Sequence, residues 1–231
     1  LGIAAVCVDP GGCGVIKKKS AARQARLAAV ATERGVRLVG PNCTGVLGGA
    51  GELRFNATFS RTLPREGGAF LLSQSGAIGL AVLDAADARG LGIGAFVSIG
   101  NSIDVSINDV LRYWEHEPAA GVILLYLESI PDPAAFLRVA RRIGRRVPIV
   151  AVKAGRTEAG RRGAASHTAA LSGGDVGVDA LLRQAGVIRA GSIEEMLDVT
   201  VVLTCIRRFR GRKIAIVTNV VRDGKPVVGY G

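Results

Sequence analysis

Continuous apolar runs, each followed by a polar turn and a helix-like segment, constrain the fold of this chain more than any other feature. Typical runs are residues 69–72 (AFLL), 121–127 (GVILLYL) and 147–152 (VPIVAV). A continuous rather than alternating run is typical of a parallel strand that is buried on both faces. Strands that alternate with helices build a parallel sheet with helices on both sides. The sequence therefore predicts an α/β protein with a doubly wound parallel sheet.

Polar residues follow the ends of four consecutive predicted strands. The carboxyl ends of parallel strands meet at one edge of a sheet, and ligands of open α/β sheets bind there. We therefore expect these residues to share one site. They are Ser73 and Ser75, Asn101 and Asp104, Glu128, and His167.

The turn after the strand at 69–72 reads Ser73-Gln74-Ser75-Gly76 and opens a helix predicted over residues 77–88. The first N–H groups of a helix have no partner within the helix, and its dipole favours negative charge at that end. All four residues are therefore candidates for binding phosphate.

A loop of some twenty residues rich in Gly, Ala, Ser, Thr and Arg follows the strand at 147–152 and carries His167, one of the two histidines of the chain. A neutral imidazole can transfer a proton or accept a phosphoryl group near neutral pH. Ser166 and Thr168 are small, so a substrate can approach, and their backbone N–H groups can face oxyanions. The alternative is an exposed loop histidine without a role.

Composition narrows the class of protein. The net charge of +11 permits an anionic partner such as a nucleotide or coenzyme A, but the basic residues are scattered and lack interleaved aromatic residues, so nucleic acid is not expected. No apolar run reaches the ~18–20 residues of a membrane span. The cysteines show no metal-ligand spacing, so we expect no metal site and predict reduced thiols in a cytoplasmic protein. They are Cys7, Cys13, Cys43 and Cys205.

Six motifs, in order, resemble the nucleoside-diphosphate-forming acyl-CoA synthetases, the superfamily of succinyl-CoA synthetase and ADP-forming acetyl-CoA synthetase. The motifs cover about residues 36 to 203. They are GPNCTG at 40–45, LLSQSGA at 71–77, VSIGNSIDV at 97–105, LYLESIPDP at 125–133, VKAGRTEAGRRGAASHTAAL at 152–171 and QAGVIRAGSIEEMLD at 184–198.

The resemblance implies a role for each motif. His167 is the residue that is phosphorylated, and Glu128 hydrogen-bonds it. The loop at 40–43 lies near the thiol and acyl group of coenzyme A, which makes Gly40, Pro41, Asn42 and Cys43 the candidate substrate-binding residues. The reaction interconverts acyl-CoA, phosphate and NDP with free acid, CoA and NTP.

The same resemblance implies a domain organisation. Residues 1–64 would be the C-terminal part of a Rossmann-like CoA-binding domain, residues 65–205 a flavodoxin-like, succinyl-CoA-ligase-like domain, and residues 211–231 the start of a truncated or divergent further domain. ADP or ATP with Mg²⁺ would be held by an ATP-grasp domain or partner subunit outside this sequence, in an oligomeric enzyme. No P-loop motif occurs in the sequence.

Two other functions stay open. One is a non-catalytic, acyl-CoA-responsive regulatory module, because the same domains are found fused to protein acetyltransferases; the presence of both His167 and Glu128 favours catalysis. The other is a thiol hydrolase that uses Cys43 and His167, although no nucleophile elbow is recognisable.

Overall fold

The computed structural model describes residues 5–8, 17–155, 175–205, 221–222 and 225–226. The strands are β1 (Ala5–Cys7), β2 (Arg37–Val39), β3 (Gly45–Gly48), β4 (Phe55–Thr58), β5 (Ala69–Ser73), β6 (Ile93–Ser98), β7 (Val122–Leu127), β8 (Ile149–Lys153), β9 (Ile188–Ala190), β10 (Val221–Arg222) and β11 (Lys225–Pro226). The α-helices are α1 (Lys17–Glu33), α2 (Gly76–Ala88), α3 (Ile107–Trp114), α4 (Pro133–Gly144), α5 (Asp175–Ala185) and α6 (Ile193–Cys205). None of the helices in these ranges combines the length and the apolarity that crossing a membrane requires.

Seven strands form the main sheet, in the order β4-β3-β6-β5-β7-β8-β9. The five strands from β6 to β9 in this order are parallel, whereas β3 runs antiparallel to both β6 and β4. Numbered along the chain from β5, the parallel strands have the order 2-1-3-4-5, which is that of flavodoxin-like folds. The prediction of a doubly wound α/β fold is therefore confirmed.

Successive residues of the central strands enter opposite halves of the core, because side chains alternate across a sheet. Phe70 and Leu72 pack on one face with α3, α4 and α5, while Ala69 and Leu71 pack on the other face with α2 and α6. All four are at most 4% exposed. Burial on both faces explains why the strands are continuous apolar runs in the sequence.

Proline and side-chain caps mark the starts of two helices. Pro133 is the first residue of α4, and the Asp132 side chain caps that helix by accepting a hydrogen bond from the Ala135 N–H at 2.9 Å. Before α6, Ser192 Oγ accepts from the Glu195 N–H at 3.1 Å, and the Glu195 carboxylate accepts from the Gly191 N–H at 2.6 Å. These contacts are those of a capping box displaced by one residue.

The sequence of residues 48–64 shows no periodicity and predicts an irregular connector, which is wrong in part. Residues 55–58 form β4, which pairs with β3 to make a hairpin whose other side joins β6. The strand was missed because β4 is the edge of the sheet and three of its four side chains are exposed, so it lacks a buried apolar pattern.

In the first part of the chain, β1 and β2 form a two-stranded parallel sheet of their own, and α1 lies between them in the sequence. The chain leaves β2 and enters β3 through residues 40–44. The predicted domain boundary at residue 64 stays a prediction, and the β3–β4 hairpin that precedes it belongs to the main sheet. Residues 213–217, whose apolar sequence predicts a strand, lie outside the described residues.

Candidate active-site cleft at the sheet edge

A cleft of about 170 Å³ opens at the carboxyl edge of the sheet, where β5 and β7 end. The chain continues from β5 to β6 on one side and later to β7 on the other, so this is the point at which the strand order reverses. Flavodoxin-like folds bind their ligands at this position. The cleft is lined by Asn42, Cys43, Thr44, Gln74, Ser75, Gly76, Ala77, Gly100, Asn101 and Glu128.

The loop at 40–43 reaches the cleft because it is fastened to the loop after β6. The Pro41 carbonyl accepts from the Asn101 N–H at 2.8 Å, and the Gly40 carbonyl accepts from the Ile103 N–H at 3.2 Å. The Asn42 amide nitrogen donates to Asn101 Oδ1 at 3.2 Å.

Gly100 makes this contact possible. It has a φ of +50°, and a Cβ there would lie 2.3 Å from both the Pro41 and the Asn42 carbonyl oxygens. The two loops can therefore touch only through a glycine.

Asp104 strengthens the same junction from outside the cleft. Its carboxylate accepts from the Leu38 N–H at 2.7 Å and pairs with Arg37 at 3.0 Å. The hydrogen bond from Arg37 lowers the pKa of Asp104, against the effect of its partial burial. Although the sequence placed Asp104 in the site, the structure gives it the task of tying β2 to the loop that carries Asn101.

The start of α2 forms the floor of the cleft. Ser75 caps this helix, with its Oγ accepting from the Ile78 N–H at 3.5 Å. A Cβ on Gly76 would lie 2.4 Å from Thr44 Cγ2, so the helix start packs closely against the loop that precedes β3. Gly76 and Ala77 thus present the first turn of a thirteen-residue helix to the cleft. This is the end of a helix that favours an anion.

Gln74 joins the ends of β5 and β7. Its side-chain Oε1 accepts from the backbone N–H of Glu128 at 2.5 Å and from that of Ser129 at 2.9 Å. Its own N–H donates to the Tyr126 carbonyl at 3.1 Å. Because both N–H groups converge on one carbonyl oxygen, the geometry makes Gln74 the residue that fixes where Glu128 leaves the sheet.

Glu128 is half-buried at the wall of the cleft and is the one carboxylate among the lining residues that the structure describes. The negative charge of Glu128 acts on the pKa values of two neighbouring side chains. The pKa of Tyr126 is raised, first by burial and then by Glu128. The pKa of Lys153 is lowered by burial, while the charges of Asp175 and Glu128 act in the opposite direction. Glu128 therefore lies within electrostatic reach of the end of β8, where the chain continues towards His167.

Charged residues fix both sides of the segment that contains His167. Lys153 ends β8, is 8% exposed, and donates from Nζ to the Ala154 carbonyl at 2.7 Å. Asp175 begins α5 and pairs with Arg189 of β9, which also contacts Asp179 at 3.3 Å. The sequence interpretation did not include Lys153, Asp175 or Arg189. Of the three, Lys153 could have been noticed, because a lysine directly follows the apolar run at 147–152.

The structure sorts the predicted site residues into three groups. Those brought together in the cleft are Asn42, Cys43, Gln74, Ser75, Gly76, Asn101 and Glu128. Those that support it without lining it are Gly40, Pro41 and Ser73; Ser73 is fully buried and donates from Oγ to the Ser75 carbonyl at 2.6 Å. Ser166, His167 and Thr168 lie outside the described residues. In the described part of the chain no group of three or more His, Cys, Asp or Glu residues is placed to hold a metal ion.

Residues 66–203 match the family model of the succinyl-CoA ligase like flavodoxin domain. Acetate–CoA ligase [ADP-forming] I of Archaeoglobus fulgidus is 42% identical over 193 residues, which cover 84% of this chain and 28% of that protein. Acetate–CoA ligase [ADP-forming] I subunit alpha of Pyrococcus furiosus is 34% identical over 218 residues, which cover 94% of this chain and 47% of that subunit. The chain thus spans less than half of each relative.

A solved structure has the same fold. The acetyl-coenzyme A synthetase 1 of Ca. Korarchaeum cryptofilum, described as dinucleotide forming and determined with phosphate and ADP, superimposes with a TM-score of 0.84 and 35% identity over 91% of this chain and 45% of that one. These similarities confirm the resemblance that the six motifs indicated.

Proposed function

Because the chain belongs to the succinyl-CoA ligase-like flavodoxin domain family, we propose that it is the alpha-type segment of an NDP-forming acyl-CoA synthetase and that it works through a phosphohistidine at His167. One observation carries this proposal. Seven predicted site residues from four separate stretches of the chain line a single cleft at the point where the strand order reverses. Relatives of the chain are acetate–CoA ligases of the ADP-forming type.

The cleft suits the first step of such a reaction. A phosphate oxygen attacks the thioester carbonyl, the carbon–sulfur bond breaks, and the thiolate of coenzyme A leaves with a proton from solvent; the product is an acyl phosphate. The α2 N-terminus at Gly76 and Ala77 would stabilise the phosphate charge. Asn42, held by Asn101, would orient the carbonyl group through its amide.

The second step transfers the phosphoryl group to the protein. An imidazole nitrogen of His167 attacks phosphorus, the bond from phosphorus to the acyl oxygen breaks, and the free acid leaves. Glu128 would accept the N–H of the other ring nitrogen, which fixes the tautomer and stabilises the imidazolium that develops. Gln74 serves this step indirectly, because it holds the Glu128 backbone.

The third step, transfer to a nucleoside diphosphate, needs a site for Mg²⁺ and nucleotide. We propose that an ATP-grasp domain, on the same or a partner chain, supplies it and that the complete enzyme is an oligomer. A Pyrococcus furiosus relative is an alpha subunit by name, which supports this division between two subunits.

The thiol hydrolase is the weaker alternative. Cys43 is 1% exposed, and its Sγ contacts the Val8 carbonyl at 3.3 Å and the Cys7 sulfur at 3.3 Å. A thiol that attacks a substrate from solution must be accessible to it, and the Cys43 sulfur is buried among carbonyl oxygens and the Cys7 thiol.

Phosphopeptide mapping tests the proposal. The purified chain is incubated with acetyl-CoA and radiolabelled phosphate, with and without an ATP-grasp subunit of a relative. We expect acid-labile, base-stable label on the peptide that contains His167, and none in His167→Ala. His116→Ala is the matched control, because His116 is exposed just beyond the end of α3, and it should label normally. Label that persists in His167→Ala contradicts the assignment; acyl-CoA binding without any label supports the regulatory module instead.

A turnover assay tests the division of labour. The chain alone should form no ATP from acyl-CoA, ADP and phosphate. Turnover at ordinary enzymatic rates of ~1–10³ per second without a second protein would show that the nucleotide site lies within these 231 residues.

A further inference from the structure

Two cysteines from separate stretches of the chain meet behind the cleft. The Cys7 and Cys43 sulfurs lie 3.3 Å apart. Cys7 ends β1, and Cys43 lines the cleft in the loop before β3. We propose that Cys7 and Cys43 are a redox-active dithiol that closes to an intramolecular disulfide, and that this modification ties the cleft-lining loop to β1.

The backbone places the two residues for this bond. The parallel register of β1 and β2 pairs Cys7 with Val39. The chain then turns back, so that the Cys43 thiol contacts the Val39 carbonyl at 3.6 Å and the Val8 carbonyl at 3.3 Å. Because those contacts hold the Cys43 sulfur beside β1, the two sulfurs need to approach by only ~1.3 Å to reach the usual bond length of ~2.05 Å.

Gly40 limits the room on the other side. A Cβ at that position would lie 2.9 Å from Cys43 Sγ and 2.6 Å from the Val8 carbonyl. The Cys43 side chain is therefore confined between the backbone of residue 40 and β1, so that Cys7 is the sulfur within its reach in the described structure.

The difference in exposure sets the order of events. Cys7 is exposed and Cys43 is buried. The Cys7 thiolate attacks one sulfur of a low-molecular-weight disulfide, whose sulfur–sulfur bond breaks, and the first small thiol leaves with a proton from solvent. Cys43 then attacks the Cys7 sulfur, the bond from Cys7 to the second small sulfur breaks, and the Cys43 proton passes to that leaving sulfur, which departs as a thiol. The Cys7–Cys43 dithiol and one small disulfide are thus converted into one protein disulfide and two small thiols.

The consequence concerns the wall of the cleft. Cys43 stands between Asn42 and Thr44, which both line the cleft, and the Thr44 N–H is held by Ser98 Oγ at 3.1 Å. A bond from Cys43 to β1 adds a second fixed point to this loop. The inference goes beyond the proposed function and does not depend on it, since the disulfide forms whether or not the cleft binds an acyl-CoA.

Equilibration in glutathione buffers tests the bond. The chain carries Cys13→Ser and Cys205→Ser, is equilibrated in buffers from fully reduced to fully oxidised glutathione, is quenched by alkylation, and is analysed by mass spectrometry. We expect the loss of the mass of two hydrogen atoms, the loss of both alkylated thiols, and a linked peptide pair that contains Cys7 and Cys43. Cys43→Ser should instead retain glutathione on Cys7.

Three outcomes would overturn the inference. The first is stable glutathione on Cys7 while Cys43 remains a thiol. The second, in the chain with all four cysteines, is a bond from Cys7 to Cys13 in place of Cys43. The third is hydrogen exchange of the 40–45 backbone that is unchanged by oxidation, whereas we expect it to slow there and to stay the same in α3, which serves as the internal reference.

Discussion

The Gln74 side chain offers the sharpest test of how the cleft is built. Gln74→Met keeps the length of the side chain but removes the oxygen that accepts two N–H groups, at 2.5 and 2.9 Å. A lost hydrogen bond that leaves a buried donor unpaired costs ~1–3 kcal/mol. Glu128 and Ser129 are only half-buried, so water compensates in part, and the lower end of that range applies to each. We therefore expect the free energy of unfolding to fall by about 2 kcal/mol.

Urea unfolding followed by tryptophan fluorescence measures this change. Trp114 is the single tryptophan of the chain, is 2% exposed, and packs edge-to-face on Phe70 at 5.3 Å between ring centroids. Gln184→Met is the matched control, because Gln184 is exposed on α5, and its effect should stay within ~0.5 kcal/mol.

The refuting result is a Gln74→Met midpoint no lower than that of the Gln184 control. A second variant separates shape from hydrogen bonding. Gln74→Glu retains an acceptor oxygen at the same distance along the side chain, and should recover most of the loss at neutral pH. If it is as unstable as Gln74→Met, the contact matters through packing and not through the two N–H groups.

Three further predictions concern residues that support or line the cleft. Gly100→Ala should lower the melting temperature more than Gly90→Ala, since both glycines have positive φ but only Gly100 has carbonyl oxygens 2.3 Å from the added carbon; equal losses would contradict the steric argument. Asp104→Ala should cost about 1 kcal/mol at pH 7. Because Arg37 depresses the folded-state pKa of Asp104, its contribution is complete above the unfolded pKa near ~4 and is lost as pH falls through the lower folded value, so the two stability curves should converge there. Glu128→Gln should leave the far-ultraviolet circular dichroism spectrum unchanged and slow histidine labelling ~10²–10⁴-fold; an unchanged rate would remove Glu128 from the site.

The parallel sheet could be predicted because burial on both faces leaves a continuous apolar run in the sequence of each central strand. A strand that is buried on both faces must be apolar at every position, and residues 69–72 and 122–127 are. β4 could not be predicted in this way. It pairs with a neighbour on one side only and exposes Phe55, Asn56 and Ala57, so its sequence carries no burial signal.

The position of the site could be predicted, but the division of tasks within it could not. All four residues of the turn at 73–76 are small or polar, and the sequence treats them alike. In the structure Ser73 is the last residue of a buried strand, and Gln74 turns its oxygen towards β7. These directions depend on strand pairing between residues that are more than fifty positions apart in the chain, which local pattern does not encode.

The reversed direction of β3 provides an attachment point for labels far from the cleft. Because β3 starts at the cleft and runs against β6, the hairpin tip at 49–54 lies at the opposite edge of the sheet, where Arg54 Nη2 donates to the Ile93 carbonyl at 3.0 Å. Leu53, at that tip, is 83% exposed. β3 has four residues, which at ~3.4 Å per residue make it ~14 Å long, so a fluorophore or an immobilising tag attached at residue 53 would stand a full strand length from the cleft. The protein can therefore be coupled to a surface or followed by fluorescence while the sheet edge that carries the candidate cleft is left open.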